Sequence, residues 1–103
     1  MVKVVQQLNV YLENEPGILA KLAEAFHRKN INIIGMCISE ATEWGVLRLI
    51  VDNVREARRL IRRLTGKEPS ITPLLEVLLP NVPGALKNTT KKLARRKINI
   101  HYA

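Results

Sequence analysis

The stretch Leu8–Ile33, LNVYLENEPGILAKLAEAFHRKNINI, recurs 67 residues later as Leu75–Ile100, LEVLLPNVPGALKNTTKKLARRKINI. Aligned without gaps, eleven of the 26 positions are identical, and both copies close on Arg-x-x-Ile-Asn-Ile. A repeat at a fixed offset indicates two copies of one structural unit. The second copy stops at Ala103, so the sequence contains one whole unit and about half of another.

Each copy predicts a strand, a turn, a helix and a second strand. In the first copy, Leu8, Val10 and Leu12 alternate with more polar residues, which is the period of a half-buried strand. The turn Asn14–Gly17 then starts a helix, since Asn accepts backbone N–H bonds near a cap and Pro suits a first helical turn. The apolar stripe expected on this helix is Leu19, Leu22, Ala23 and Phe26, and Asn30 ends it.

The remaining elements complete a known α+β architecture. A strand over Ile31–Glu40, a turn over Ala41–Gly45 and a strand over Val46–Val51 precede a helix over Val54–Thr65, capped by Gly66. The fourth strand is predicted over Leu74–Leu79, and the half repeat adds a third helix and a fifth strand. The order βαββαβ, with antiparallel pairing and right-handed crossovers, describes a ferredoxin-like α+β sandwich.

Composition limits the class of protein. A chain of 103 residues with 47% hydrophobic residues has room for one globular domain. No apolar stretch approaches the ~20 residues that a membrane span needs, and the N-terminus lacks a signal-peptide pattern. The single cysteine, Cys37, excludes an internal disulfide and is expected to be a small core residue. These features predict a cytoplasmic protein with no membrane association.

Charge is distributed unevenly. Residues 1–52 carry five Lys/Arg and six Asp/Glu, whereas residues 53–103 carry twelve and three, so the net charges are −1 and +9. Arg55, Arg58, Arg59, Arg62 and Arg63 cover one face of the second helix, and Lys and Arg cover the third helix in the same way. Such faces are typical of solvated surface helices, and the alternative is a nucleic-acid contact. Only four aromatic residues argue against base stacking.

The second strand predicts an oligomer. If Ile31 and Ile33 point inward, strict alternation places Ile34, Met36 and Ile38 on the sheet face away from the helices. Val46, Ile50 and Leu78, with Tyr11 and Arg48 among them, are expected on the same face. An open sheet face of that apolar character indicates burial against another subunit.

Catalytic and metal-binding patterns are not found in the sequence. There is no recognisable Ser-His-Asp set, no paired-carboxylate arrangement and no metal-ligand spacing around His27 or His101, which are expected at the surface. The sequence therefore predicts a protein that is not an enzyme and has no cofactor or metal.

The run Leu8–Leu19, followed by Asn30–Ile33 and by Gly45–Val51, resembles an ACT domain. The resemblance covers about residues 4–80, and the half repeat is similar to the start of a second ACT domain; small stand-alone tandem ACT proteins are the most similar group. The first half also resembles the regulatory subunit of acetolactate synthase. The resemblance implies a ligand-binding domain over residues 1–80 and an incomplete second repeat over 74–103, completed by another chain.

The resemblance also implies a non-catalytic, allosteric role in amino-acid metabolism. A strand that leads into a helix N-terminus presents unpaired N–H groups, which suit a carboxylate. The implied site for an amino acid or related metabolite combines this loop with the second strand of a neighbouring subunit. Its residues are Asn14, Glu15, Pro16, Gly17, Ile18 and Leu19, with Ile33, Ile34, Gly35 and Met36. The second candidate loop is Asn81, Val82, Pro83 and Gly84, and the alternative for both loops is a plain helix cap with Pro at the first helical position.

The resemblance and the apolar sheet face also predict binding partners. The expected assembly is a homodimer or a higher homo-oligomer, and a regulated metabolic enzyme is a further candidate partner. The alternative function is nucleic-acid binding through the basic C-terminal half, which would involve Arg58, Arg59 and Arg62.

Overall fold

The computed structural model describes residues 2–13, 15–40 and 44–103. Over these residues the order of elements is the predicted βαββαβ followed by a third helix. The elements are β1 (Val2–Glu13), α1 (Ile18–Arg28), β2 (Ile33–Glu40), β3 (Trp44–Val51), α2 (Val54–Thr65), β4 (Ser70–Val77) and α3 (Ala85–Arg95).

The four strands form one sheet in the order β2-β3-β1-β4. β1 and β2 each pair with β3 in the antiparallel sense, with Leu8 opposite Leu49 and Ile38 opposite Leu47. Strands that neighbour in space but not in sequence require crossovers, which α1 and α2 supply. This is the ferredoxin-like α+β arrangement, so the predicted fold class is confirmed.

The chain divides into two compact units, Val4–Leu75 and Met1–Lys3 with Glu76–Ala103. The first unit contains the hydrophobic core, where the sheet packs against both of its helices. Because residues opposite each other in antiparallel strands share a face, the alternating leucines of β1 and β3 point the same way. The buried core consists of Leu8, Val10, Leu12, Leu22, Phe26, Ile31, Leu47, Leu49, Val51, Ala57, Leu60 and Ile61.

The first helix starts and ends on left-handed residues. Gly17 (φ 88°) is its N-cap, and Pro16 precedes the helix instead of occupying its first turn. The prediction that Pro16 occupies the first helical turn is therefore wrong. At the other end, Asn30 (φ 56°) donates its N–H to the His27 carbonyl (3.0 Å) and Ile31 donates to Phe26 (2.9 Å), a Schellman motif.

A bulge in β2 corrects the predicted sheet faces. Ile33 lies opposite Val51 but Gly35 lies opposite Ile50, so Ile34 is an extra residue on β2. The alternation therefore shifts by one, and Met36 and Ile38 are opposite the buried Leu49 and Leu47. Their side chains thus lie on the helix side of the sheet, not on the outer face. The outer face instead carries Gly35, Cys37 and Ser39 opposite Ile50, Arg48 and Val46.

Other expectations also needed correction. β4 starts at Ser70, before the predicted Leu74, and it includes Pro73, which an edge strand tolerates. Cys37 is exposed, because β2 is the opposite edge of the sheet. Ala23, which was expected in the apolar stripe of α1, is exposed. Gly66 caps α2 as predicted, with φ 71°.

The second unit contains α3, which corresponds to α1 in the repeat but is not buried as α1 is. Over the described residues, α3 has no buried side chain, whereas α1 buries Leu22 and Phe26. The predicted fifth strand is not formed, since residues 98–103 have no regular secondary structure. A strand needs a neighbour for its backbone hydrogen bonds, and this segment has none among the described strand pairs. Lys3 and Glu76 form an ion pair within this unit (3.5 Å).

Candidate ligand-binding site at the start of the first helix

The β1–α1 loop opens onto a groove of about 170 Å³ within the unit Val4–Leu75. The end of β1, the start of α1 and the end of α2 meet here, because β1 and α2 both finish at the same end of the sheet's strands. Drug-sized ligands occupy pockets of about 300–1,000 Å³, so this groove suits a smaller molecule. It is lined by Tyr11, Leu12, Glu13, Glu15, Ile18, Leu64, Thr65 and Lys67.

The N-terminus of α1 differs from that of α2 in how it is capped. In α2, the Asn53 side chain accepts a hydrogen bond from the Glu56 N–H (3.1 Å), and Glu56 adds a negative charge in the first turn. In α1, Gly17 provides no side-chain cap and the first turn has no acidic residue. The partial positive charge of the α1 N-terminus is therefore not offset by any residue of its own first turn.

Space in front of the loop is open. A Cβ atom built on Gly17 would have no heavy atom within 4 Å other than those of Gly17 and its chain neighbours. The loop backbone is tightly folded, since the Glu15 N–H donates to the Glu13 carbonyl (2.7 Å). This turn brings Glu13 and Glu15 to the same groove, so two carboxylates line it close to the helix start.

A positive residue, Lys67, also lines the groove. The Lys67 ammonium lies 3.8 Å from the centroid of the Trp44 ring, a cation–π contact. Trp44 in turn lies opposite Glu13 on the β1–β3 ladder. The groove thus combines two carboxylates, one ammonium and a helix N-terminus, together with the apolar side chains of Leu12, Ile18 and Leu64.

The predicted loop residues are only partly in the groove. Glu15 and Ile18 line it, Pro16 and Gly17 are exposed beside it, and Leu19 packs against the core. Asn14 lies outside the described residues. Sequence reasoning missed the contribution of the end of α2, which is Leu64, Thr65 and Lys67. The βαββαβ order was the available signal, because in this order α2 finishes at the same end of the sheet's strands as β1.

The predicted β2 residues lie elsewhere in the same chain. Glu13 is opposite Trp44, whereas Ile33 is opposite Val51, seven residues further along β3. At ~3.3 Å per residue, the loop and Ile33 are separated by about 23 Å along the strand. Ile34 and Met36, both about half exposed, and Gly35 also lie toward that end. A single chain does not bring the two predicted parts of the site together.

The second candidate loop has the same backbone as the first. Gly84 has φ 87° where Gly17 has 88°, and the Val82 N–H donates to Pro80 (2.9 Å) as Glu15 does to Glu13. The Asn88 N–H donates to Gly84 (3.1 Å), matching Lys21 and Gly17 (3.0 Å). All four residues, Asn81, Val82, Pro83 and Gly84, are exposed.

The described part of the chain contains no group of three or more His, Cys, Asp or Glu residues placed to hold a metal ion. His27 and His101 are both exposed, as expected. Among the described helices, none is long and apolar enough to cross a bilayer.

The fold and the repeated loop together define a class of small regulatory modules. A family model described as an ACT domain pair matches residues 3–103, and this chain belongs to that family. ACT domains are regulatory modules, which supports a regulatory role for the chain.

Solved structures share this fold. The crystal structure of a Bacteroides thetaiotaomicron protein is 31% identical, with a TM-score of 0.80 over 98% of this chain and 69% of that one. The regulatory subunit of aspartate kinase from Thermus thermophilus, in a ligand-free form, has the same fold at 17% identity and TM-score 0.67, covering 97% of this chain and 77% of that one. The corresponding subunit from Thermus flavus is 15% identical, with TM-score 0.60 over 99% and 77% of the two chains. No protein with a curated description matches the sequence.

Proposed function

We propose that this chain is a non-catalytic regulatory module that binds a free amino acid, or a similar small zwitterion, at the β1–α1 groove. The observation that carries the proposal is the charge pattern of the groove. An α-amino acid has a carboxylate and an ammonium separated by one carbon, and the groove offers partners for both within about 170 Å³.

The carboxylate of the ligand is assigned to the α1 N-terminus. The N–H groups of a first helical turn have no intrahelical partners and favour an anion. The absence of a side-chain cap and of an acidic residue in the first turn leaves this position available to a ligand. Lys67, held over Trp44, adds a positive charge to the lining of the groove.

The ammonium of the ligand is assigned to Glu13 and Glu15. Both line the groove, and a carboxylate accepts charge-assisted hydrogen bonds from an ammonium. The ligand's side chain would lie against Leu12, Ile18 and Leu64, so these three residues would select for its size.

A second chain is proposed to complete the site with its β2. Along β3 in one chain the loop is about 23 Å from Ile33 and about 17 Å from Met36, so the loop and this part of β2 can contact one ligand only across an interface. β2 is an edge strand, and edge strands present unpaired backbone groups to a partner. The exposed Ile34 (57%) and Met36 (51%) supply apolar area there.

The half repeat is also proposed to pair with the half repeat of another chain. Residues 74–103 would form a composite second ACT domain around a twofold axis, while residues 1–80 form the first domain. Supporting this, α3 and residues 98–103 leave Leu86, Ile98 and Ile100 about half exposed or more. By analogy with the aspartate kinase subunits, the assembly would act on a metabolic enzyme.

Fluorescence titration tests the proposed ligand. Trp44 is the only tryptophan, and Lys67, which lies over its ring, lines the groove, so binding should change the emission. We expect at least one of the twenty common amino acids to give a saturable change at millimolar concentration or below. Its amide and its N-acetyl derivative should each bind at least about tenfold more weakly, because each removes one charge. If no amino acid binds at 10 mM, or if both derivatives bind as well as the parent, the proposal fails.

A further inference from the structure

A second groove, about 470 Å³ in volume, lies between α2 and the β1–β4 side of the same unit. It is lined by Gln6, Val54, Arg55, Arg58, Arg62 and Ile71. None of these residues lines the β1–α1 groove, so the two sites are separate. The site is concave and three of its six lining residues are arginines.

The three arginines follow the helix on one side. Residues 55, 58 and 62 are at positions i, i+3 and i+7, which places them in one row facing the groove. From Arg55 to Arg62 the row extends about 10 Å along the helix axis. Arg59 and Arg63 lie further around the same helix and do not line the groove.

Glu68 fixes two of the guanidinium groups. Arg58 donates to Glu68 Oε1 through both Nε (3.1 Å) and Nη2, and Arg62 Nε lies 3.2 Å from Oε2. One carboxylate therefore orients two arginines, which reduces the side-chain entropy that a ligand would otherwise have to remove. Three arginines and one glutamate leave a net charge of +2 at the groove.

Arg55 is the one groove arginine that does not pair with Glu68. It is exposed, and its guanidinium makes no hydrogen bond or ion pair with the residues of 2–13, 15–40 or 44–103. Val54 and Ile71 are half-buried and give the groove apolar walls, and Gln6 adds an amide. A guanidinium pairs well with planar or tetrahedral oxyanions, and several together favour an anion with more than one charge.

We propose that this groove is a second binding site, for a small molecule that carries phosphate groups. Val54 and Ile71 beside the arginines favour a phosphorylated metabolite with an organic part over a nucleic-acid backbone, whose affinity comes mainly from its phosphates. Arg55 and one of the oriented arginines contact the phosphate oxygens, and Val54 and Ile71 contact the organic part. The site operates whether or not the β1–α1 groove holds an amino acid.

Titration with inorganic pyrophosphate tests the proposal, using calorimetry at constant ionic strength. Arg55→Gln is compared with Arg63→Gln, a matched control, because both residues are exposed on α2 and neither has an ion pair in the described structure. We expect Arg55→Gln to weaken pyrophosphate binding about tenfold, the effect of one charge-assisted hydrogen bond, and Arg63→Gln to change it less than about twofold.

Three results would overturn the proposal. The first is no heat from pyrophosphate at 10 mM. The second is an equal loss of affinity in both variants, which would mean a general effect of net charge. The third is a single-stranded oligonucleotide that binds more tightly than pyrophosphate and whose binding is weakened equally by Arg63→Gln and by Arg55→Gln. That result would assign the arginines of α2 as a whole to nucleic-acid binding. Unchanged amino-acid binding in Arg55→Gln would separate this site from the proposed function.

Discussion

Asn30 and Lys97, 67 residues apart, share a left-handed backbone with φ of 56° and 57°. Each follows the C-cap of a helix, and each donates its N–H over 3.0 Å to the carbonyl three residues earlier. Asn tolerates this conformation, whereas Lys adopts it at a cost of ~1–2 kcal/mol. The half repeat therefore forms the same helix end as the whole repeat, with a less suitable residue.

Lys97→Asn should stabilise the end of α3 by about 1 kcal/mol or less, because it removes part of that backbone cost. The measurement is hydrogen exchange at the Ile98 N–H, which donates to the Leu93 carbonyl (2.9 Å). Arg96→Asn is the control, since Arg96 has φ −91° and should show no gain. Slower exchange in both variants, or in neither, would contradict the assignment.

Phe26→Ala should cost about 3–5 kcal/mol of unfolding free energy, because Phe26 is 1% exposed in the core. The equivalent change in the second copy, Leu93→Ala, removes a side chain that is only half-buried, and it should cost less than about 1.5 kcal/mol in dilute protein. Chemical denaturation of the two variants gives both values. Equal losses would mean that α3 packs as tightly as α1.

Gly17→Val and Gly84→Val test which of the two Pro-Gly loops contributes to amino-acid binding. Both glycines have φ near 88° and open space at Cβ, so each change should destabilise the protein by a similar amount, about 1–2 kcal/mol or more. Amino-acid binding should be lost only in Gly17→Val, because only that loop borders the charged groove. Loss of binding in both variants would point to unfolding or to a shared site, and retention in both would remove the loop from the site.

Truncation after Asn81 should weaken self-association. It removes Leu86, Ile98 and Ile100, whose burial in a partner would contribute about 1.5–3 kcal/mol each before entropy costs. Sedimentation velocity between 1 and 100 μM should give a dimer, or a multiple of one, for the whole chain and a smaller species after truncation. A whole chain that is monomeric throughout this range would refute the composite domain.

Lys67→Gln should weaken amino-acid binding about tenfold, since Lys67 is the only positive residue among the described residues that line the groove. It should also change Trp44 emission in the absence of ligand, because the ammonium lies 3.8 Å from the ring centroid. Lys21→Gln, on an exposed α1 residue outside the groove, is the control. Equal affinity in the wild type and in Lys67→Gln would exclude Lys67 from the site.

The sequence by itself determined the repeat, the order of the seven described elements and the C-terminal ends of α1 and α2. These features depend on local chemistry: alternating apolar residues in β1, Gly66 after α2, and the paired Pro-Gly turns before α1 and α3.

The tertiary structure decided which elements and side chains come into contact. The bulge at Ile34 shifted Met36 and Ile38 to the other face, because one inserted residue reverses a period of two. Lys67 reached the β1–α1 loop only through the crossover of α2 over the sheet. Leu22 and Phe26 of α1 became core while the same helix in the second copy stayed uncovered, because burial depends on a partner surface that no local pattern contains.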